Sequence, residues 1–205
     1  MATVIRGNSL YTIVDGPSWT QAEANSVKLG GHLATINDDS ELDWFKTEYS
    51  KAIYIQSGSP SASLGIAQLW IGVNDSITEK NYQWISGQNS TINLEVSWRQ
   101  VGFNGNETDA IHQSYDYGVW IASHNKEYGF GDTEINGIDI LPNDMGWFPD
   151  GGNIKGISET PFIRRGDSAY VIVSGPTWEE AEANAVKLGG HLVTINDGAE
   201  NLWIT

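Results

Sequence analysis

The chain has 205 residues, 26 acidic against 11 basic for a formal charge of −15, with nine tryptophans and no cysteine. Such a charge repels a phosphate backbone or an anionic bilayer, and no apolar run is long enough to insert, so neither nucleic acid nor membrane is an expected partner. Without cysteine there is no disulfide framework, zinc–thiolate site or cysteine nucleophile, and the length suits one domain, or one and a fraction, whose core needs no staples.

Residues 9–14 alternate and are rich in β-branched and aromatic side chains, which predicts a strand stopped by Asp15-Gly16-Pro17. Ser18 stands as the N-cap of a helix, with Gln21 three residues on as its capping-box partner. Trp19, Ala22, Ser26 and Leu29 recur at helical spacing, and Gly30-Gly31 supplies the left-handed residue that ends the helix. A second helix is predicted after Asp38-Asp39-Ser40, carrying Leu42, Trp44, Phe45 and Tyr49, before a loop rich in Ser, Gly and Pro at 56–63. Beyond it the pattern turns to short strands at 68–73, 82–85, 118–122 and 157–163, with long irregular segments between residues 87 and 156. Two early helices followed by strands describe an α+β domain, and loops of that length are uncommon unless they have a task.

Residues 6–44 align with 165–203 at a constant offset of 159, without a gap and with 26 identities in 39 positions. Gly16-Pro17-Ser18-Trp19 matches Gly175-Pro176-Thr177-Trp178, and the run from Gly30 to Asp38 matches that from Gly189 to Asp197. A period this long is a whole domain. The chain therefore reads as one complete copy, residues 1–163, followed by a truncated second copy, residues 164–205, as in a tandem array. The partial copy lacks the strands that would cover Trp178. It is expected to be mobile, to dock on the first copy, or to exchange its strand at 168–173 with a neighbouring chain.

Taken in order, these pieces resemble the C-type lectin-like domain in a bacterial, cysteine-free form. The resemblance rests on the strand followed by Pro-Ser-Trp and a helix, on Gly30-Gly-His-Leu-Ala-Thr-Ile-Asn37, on Leu69-Trp-Ile-Gly-Val-Asn-Asp75, on Trp84-Ile-Ser-Gly87, and on the closing run from Gly156 to Ile163. It spans residues 7–163. The resemblance implies a looped fold whose first and last strands pair, so that the termini emerge side by side as beads on a string would need. It also implies calcium and ligand bound in the long loops.

In sugar-binding members a Glu-Pro-Asn or Gln-Pro-Asp tripeptide supplies calcium ligands before a Trp-Asn-Asp. Here the stretch from Trp98 to Glu107 has no proline and offers Asn104 and Glu107, while Gly146-Trp147-Phe148-Pro149-Asp150 takes the Trp-Asn-Asp place. With Asp116, the ligand-binding candidates are Asn104, Glu107, Asp116, Trp147 and Asp150. Separately, Asp132-x-Glu134-x-Asn136-Gly137-x-Asp139 alternates oxygen donors around a turn glycine, like the first half of an EF-hand calcium loop, although Asn143 stands where a bidentate glutamate belongs. Asp132, Glu134, Asn136, Asp139, Asn143 and Asp144 are the metal candidates, for Ca²⁺. The competing reading is an acidic, solvated loop tip whose Asn-Gly is only a turn.

Trp19, Trp70 and Trp84 fall at framework positions and are expected in the core. Trp98, Phe103, Tyr128, Phe130, Trp147 and Phe148 fall in the loops, where a ring can stack on a sugar face or pin its own loop. His32 and His191 occupy the same repeat position and read as structural imidazoles bonded to backbone. His112 and His124 have no metal-site spacing, and neither a nucleophile elbow nor a phosphate-cradling loop occurs. Arg165-Gly166-Asp167-Ser168 matches an integrin tripeptide only by letters, since its counterpart reads Arg6-Gly7-Asn8, and the sequons at Asn74, Asn89 and Asn106 matter only in a eukaryotic secretory pathway. The expectation is a non-catalytic carbohydrate-recognition module of an extracellular or cell-surface adhesion protein, calcium-assisted, with a glycan or surface protein as partner. The alternative is a spacer or protein-binding repeat that binds no sugar.

Overall fold

The computed structural model describes residues 3–49, 66–75, 81–92, 117–123, 128–133 and 155–205. Strands β1 (Val4–Arg6) and β2 (Ser9–Asp15) form a hairpin turned at Gly7, whose φ of 58° a side chain would resist. Helix α1 (Trp19–Lys28) starts where Ser18 Oγ accepts from Gln21 N. It ends in a Schellman motif, with Gly30 N–H donating to Val27 O and Gly31 N–H to Ser26 O, and Gly30 at φ 84°. Strand β3 (His32–Leu33) leads through an extended stretch to α2 (Asp39–Glu48), capped by Asp38. Both helices lie where the capping chemistry predicts them.

Strands β4 (Ile66–Asn74), β5 (Gln83–Trp84), β6 (Tyr117–Ser123), β7 (Tyr128–Thr133) and β8 (Lys155–Pro161) complete a sheet of order β1-β2-β8-β4-β6-β7, with β3 beside β8 and β5 beside β4. The first long strand and the last pair antiparallel over seven residues, from Ser9 opposite Pro161 to Asp15 opposite Lys155. On its other edge β8 takes β3 at Glu159 and Ser158, then β4 in parallel at Gly156 and Lys155. Flanked on both edges, β8 is buried from Gly156 through Thr160. The expected strand at 157–163 breaks after Pro161, and the chain re-enters a hairpin of β9 (Ile163–Arg165) and β10 (Ser168–Tyr170).

One apolar cluster, including Tyr11, Ile36, Phe45, Tyr49, Ile71 and Ile157, joins the sheet to α2. A second, of Val14, Trp19, Ala22, Leu29, Leu33 and Trp70, lies under α1. Trp19 and Trp70 are core residues, as expected, and each indole N–H finds a carbonyl: Trp19 Nε1 donates to Ile71 O at 2.8 Å and Trp70 Nε1 to Gly16 O at 3.2 Å. Trp84 is half-buried against the first cluster. Strand β7 was not expected, because Gly129 and Gly131 dilute its β-propensity and its pairing with β6 is decided only in the assembled sheet. It places Tyr128 and Phe130 on a strand rather than in a loop.

Residues 165–205 rebuild the opening of the first copy locally. The β9–β10 hairpin turns at Gly166 with φ 60°, so Arg165-Gly166-Asp167-Ser168 is the counterpart of the β1–β2 turn. Helix α3 (Trp178–Lys187) is capped by Thr177, whose Oγ1 accepts from Glu180 N and donates to Glu180 Oε2, and α4 (Gly198–Ile204) is capped by Asp197. No described helix is long and apolar enough to cross a membrane.

Candidate functional site

The register of the sheet brings the roots of the long segments together. Asn74 of β4 pairs with Tyr117 of β6, and Tyr117 with Thr133 of β7. The chain therefore enters from Asp116 and leaves toward Glu134 at one end of the sheet, beside Asn74 and Asp75, which are both buried. Of the metal candidates, Asp132 has its backbone in β7 opposite Gly118. Glu134, Asn136, Asp139, Asn143 and Asp144 lie outside the described residues, as do the ligand candidates Asn104, Glu107, Asp116, Trp147 and Asp150. Among the described residues no group of three or more His, Asp or Glu could hold a metal ion.

Next to this end the segment 86–92 is tied to the extended link between β3 and α2. Thr35 Oγ1 and Ser86 Oγ are 2.6 Å apart, Ser90 Oγ donates to Ile36 O at 2.6 Å, and Thr91 N donates to Asn37 O at 2.8 Å. Asn37 Nδ2 donates to Gln88 Oε1 and to Asn89 O. An extended stretch without a ladder must place its polar backbone somewhere, and here it does so on a loop. The Thr35-Ile36-Asn37 run, legible as a repeated motif, thereby anchors the base of the loop region.

Beneath the sheet lies a polar lock that sequence reasoning did not single out. Glu41, on α2, accepts from Tyr11 OH, from Arg6 Nη1 at 3.1 Å and from Asn37 N at 2.9 Å. Glu159, on β8, accepts from Ser9 Oγ at 2.9 Å and Thr35 N at 3.2 Å. Burial pushes the Tyr11 phenol far up, with the Glu159 and Glu41 carboxylates adding to it. Burial likewise pushes the Glu159 carboxyl up, against the hydrogen bonds from Ser9 and Thr35. Both carboxylates are spent on internal donors and shielded from solvent, so the arrangement fastens β1, β2, α2 and β8 rather than meeting a substrate. The available signal was the repeat itself, since Arg6, Tyr11 and Glu41 recur as Arg165, Tyr170 and Glu200, and Glu200 again accepts from Tyr170 OH at 3.0 Å.

His32 is structural, though its partner is a carboxylate instead of the expected backbone. Its Nδ1 lies 2.6 Å from Glu23 Oε1, while Glu23 Oε2 accepts from Leu33 N at 2.8 Å, clamping α1 to β3. His191 and Glu182 repeat the pair, and that hydrogen bond holds the Glu182 carboxyl below its ordinary range.

No family model matches the chain. A perlucin-like protein of Mytilus galloprovincialis is 28% identical over 108 residues, which cover 49% of this chain and 67% of that protein. A C-type lectin of Cerberus rynchops is 28% identical over 91 residues, 42% of this chain and 48% of the relative, so the matched part spans about half that relative's length. Among solved structures, human lithostathine superposes with a TM-score of 0.51 at 14% identity, covering 78% of this chain and 88% of its own. At that identity the likeness is one of fold. With the pairing of first and last strands, the two flanking helices and the long segments rooted at one sheet end, the chain carries a domain of C-type lectin-like fold in the α+β class.

Proposed function

We propose that residues 1–163 form a calcium-assisted carbohydrate-recognition module that binds through its long loops. In this reading residues 164–205 open a second copy in a tandem adhesion protein, extracellular or at a cell surface. The observation that supports it is the sheet register: it roots the two acidic, aromatic segments at one end of a C-type lectin-like fold. Asp132, Glu134, Asn136, Asp139, Asn143 and Asp144 offer carboxylate and amide oxygens only, a donor set that suits a hard cation taking about six to eight oxygens. Bound calcium would neutralise these acids. Asn104, Glu107, Asp116 and Asp150 would meet sugar hydroxyls, and Trp147 would stack on the ring. In this reading the source is bacterial, as the resemblance implies.

Calorimetric titration of calcium into the full chain, with melting followed in calcium and in chelator, tests the metal. At calcium a hundredfold above its Kd, mass action adds about 2.7 kcal/mol, or roughly 5–10 °C for a domain of this size. No heat and an unchanged melting temperature would refute calcium assistance. A glycan array without calcium-sensitive signal would refute sugar recognition and leave the second reading, a spacer or protein-binding repeat, which the missing Glu-Pro-Asn and Trp-Asn-Asp motifs favour.

The same reading includes strand exchange through residues 164–205. Among the described strands β10 pairs with β9 alone, whereas its counterpart β2 is flanked by β1 and β8. Exchange is the alternative to docking within one chain: a concentration-dependent dimer by light scattering would support it, and a strict monomer at high concentration would exclude it.

A further inference from the structure

The repeat allows each contact between the first copy and residues 165–205 to be compared with its counterpart, and these contacts are reciprocal. Ser174 N–H donates to Lys28 O at 2.9 Å, Lys28 being the last residue of α1. On the opposite side stands Lys187, the last residue of α3 and the counterpart of Lys28, as Asp15 is the counterpart of Ser174. The Asp15 carboxyl is held below its ordinary range by its hydrogen bond to Lys155 and, in smaller part, by the charge of Lys187. Lys187 O also accepts from Thr3 Oγ1 at 3.4 Å.

The glycine after each helix repeats the relation. At Gly30 a Cβ would collide with the Ile172 carbonyl oxygen and lie 3.1 Å from Val171 Cγ1. At Gly189 a Cβ would lie 4.0 Å from Thr3 Oγ1, and Thr3 is hydrogen-bonded to Thr12, the counterpart of Val171. Leu188, which follows α3 as Leu29 follows α1, packs against the cluster that contains Leu29, Trp19 and Val14. The Ser174 contact is complementary, because the last turn of a helix leaves carbonyls without helical donors and Ser174 lies beyond the β9–β10 ladder.

We infer that successive copies of this repeat pair about a local pseudo-two-fold axis, the C-terminal turn of α1 seated against residues 171–174 and that of α3 against Thr3 and the cluster under α1. The partner this surface fits is a second copy of the repeat, and the patch is self-complementary in the manner of an isologous interface. A tandem array is then built from rigidly paired units instead of freely jointed beads.

The native chain has no cysteine, so two double variants of the full chain, K28C/S174C and D15C/K187C, test the two halves of the contact with a short bifunctional maleimide. All four positions are exposed, which leaves the fold intact. Both pairs should link within the chain at least tenfold faster in buffer than in denaturant, and adding Leu188→Asp should bring both down to the denatured rate. Equal rates in buffer and denaturant for both pairs would overturn docking. Linkage of one pair without the other would overturn the reciprocal geometry.

Discussion

Replacing Glu41 with alanine removes the shared acceptor of the buried lock, and the repeat supplies an internal control in Glu200→Ala. The Glu41 side chain is 3% exposed and serves Arg6, Tyr11 and Asn37. Its loss removes the hydrogen bond from the hydroxyl of Tyr11, itself 2% exposed, at about 1–3 kcal/mol for a buried polar group losing a partner. Breaking a buried ion pair costs about 3–5 kcal/mol, but Arg6 keeps access to water and to Ser40 Oγ, which puts the total near the lower end. The expected loss is about 3 kcal/mol, or roughly 6–12 °C in melting temperature. Glu200 holds the same kind of donors, Tyr170 OH and Asn196 N, where half-buried Tyr170 stays open to solvent. Its alanine variant should cost less than E41A, because water reaches the freed Tyr170 hydroxyl. Urea and thermal unfolding followed by tryptophan fluorescence read both variants. In E41A/Y11F the two losses should overlap by more than about 1 kcal/mol, since they delete one hydrogen bond. A loss for E41A no larger than for E200A would refute the assignment of this stability to burial.

Three further outcomes are expected. Burial raises the Glu159 carboxyl above its ordinary value of 4.5, so the folded state binds more protons than the unfolded state over the interval above that value. Stability contributed by this group therefore falls as pH rises through the interval and levels off above it. The melting temperature of E159Q should gain on the parent as pH increases there, and a difference independent of pH would contradict the sign. E134Q/D139N should weaken calcium binding at least tenfold by calorimetry while leaving the calcium-free melting temperature unchanged; unaltered affinity would remove these residues from the site. Trp147→Ala should abolish glycan-array signal with calcium binding retained, and a persistent signal would assign the stacking ring elsewhere.

The helices were legible because their signals are local: Ser18, Asp38 and Thr177 each cap the helix that follows, and Gly30 takes the left-handed φ that its place after Leu29 demands. The alternating acids and amides of the candidate site are read from the sequence alone, since all of them but Asp132 lie outside the described residues. Strand β7 and the short β3 were not legible, since each exists by pairing with a strand distant in sequence. Neither was the Glu41–Tyr11–Glu159 lock. Carboxylates on α2 and β8 meet one tyrosine only after β2 and β8 are in register.

The repeat separates the two kinds of information within one molecule. Nearly the same residues appear twice, and both copies form the hairpin turn, the capped helix, the Schellman stop and the His–Glu clamp, because each depends on neighbours a few residues away. Burial differs at the core positions. Trp19 is 5% exposed and its counterpart Trp178 is 67% exposed. A Cβ at Gly31 would collide with the carbonyl of Glu159, whereas at Gly190 its nearest neighbour would be Ala185 O at 4.0 Å. What the sequence determined alone was the shape of each local element. What only the tertiary structure decided was which side chains become core, because β8 and β4 come from far along the chain and cover the first copy but not the second.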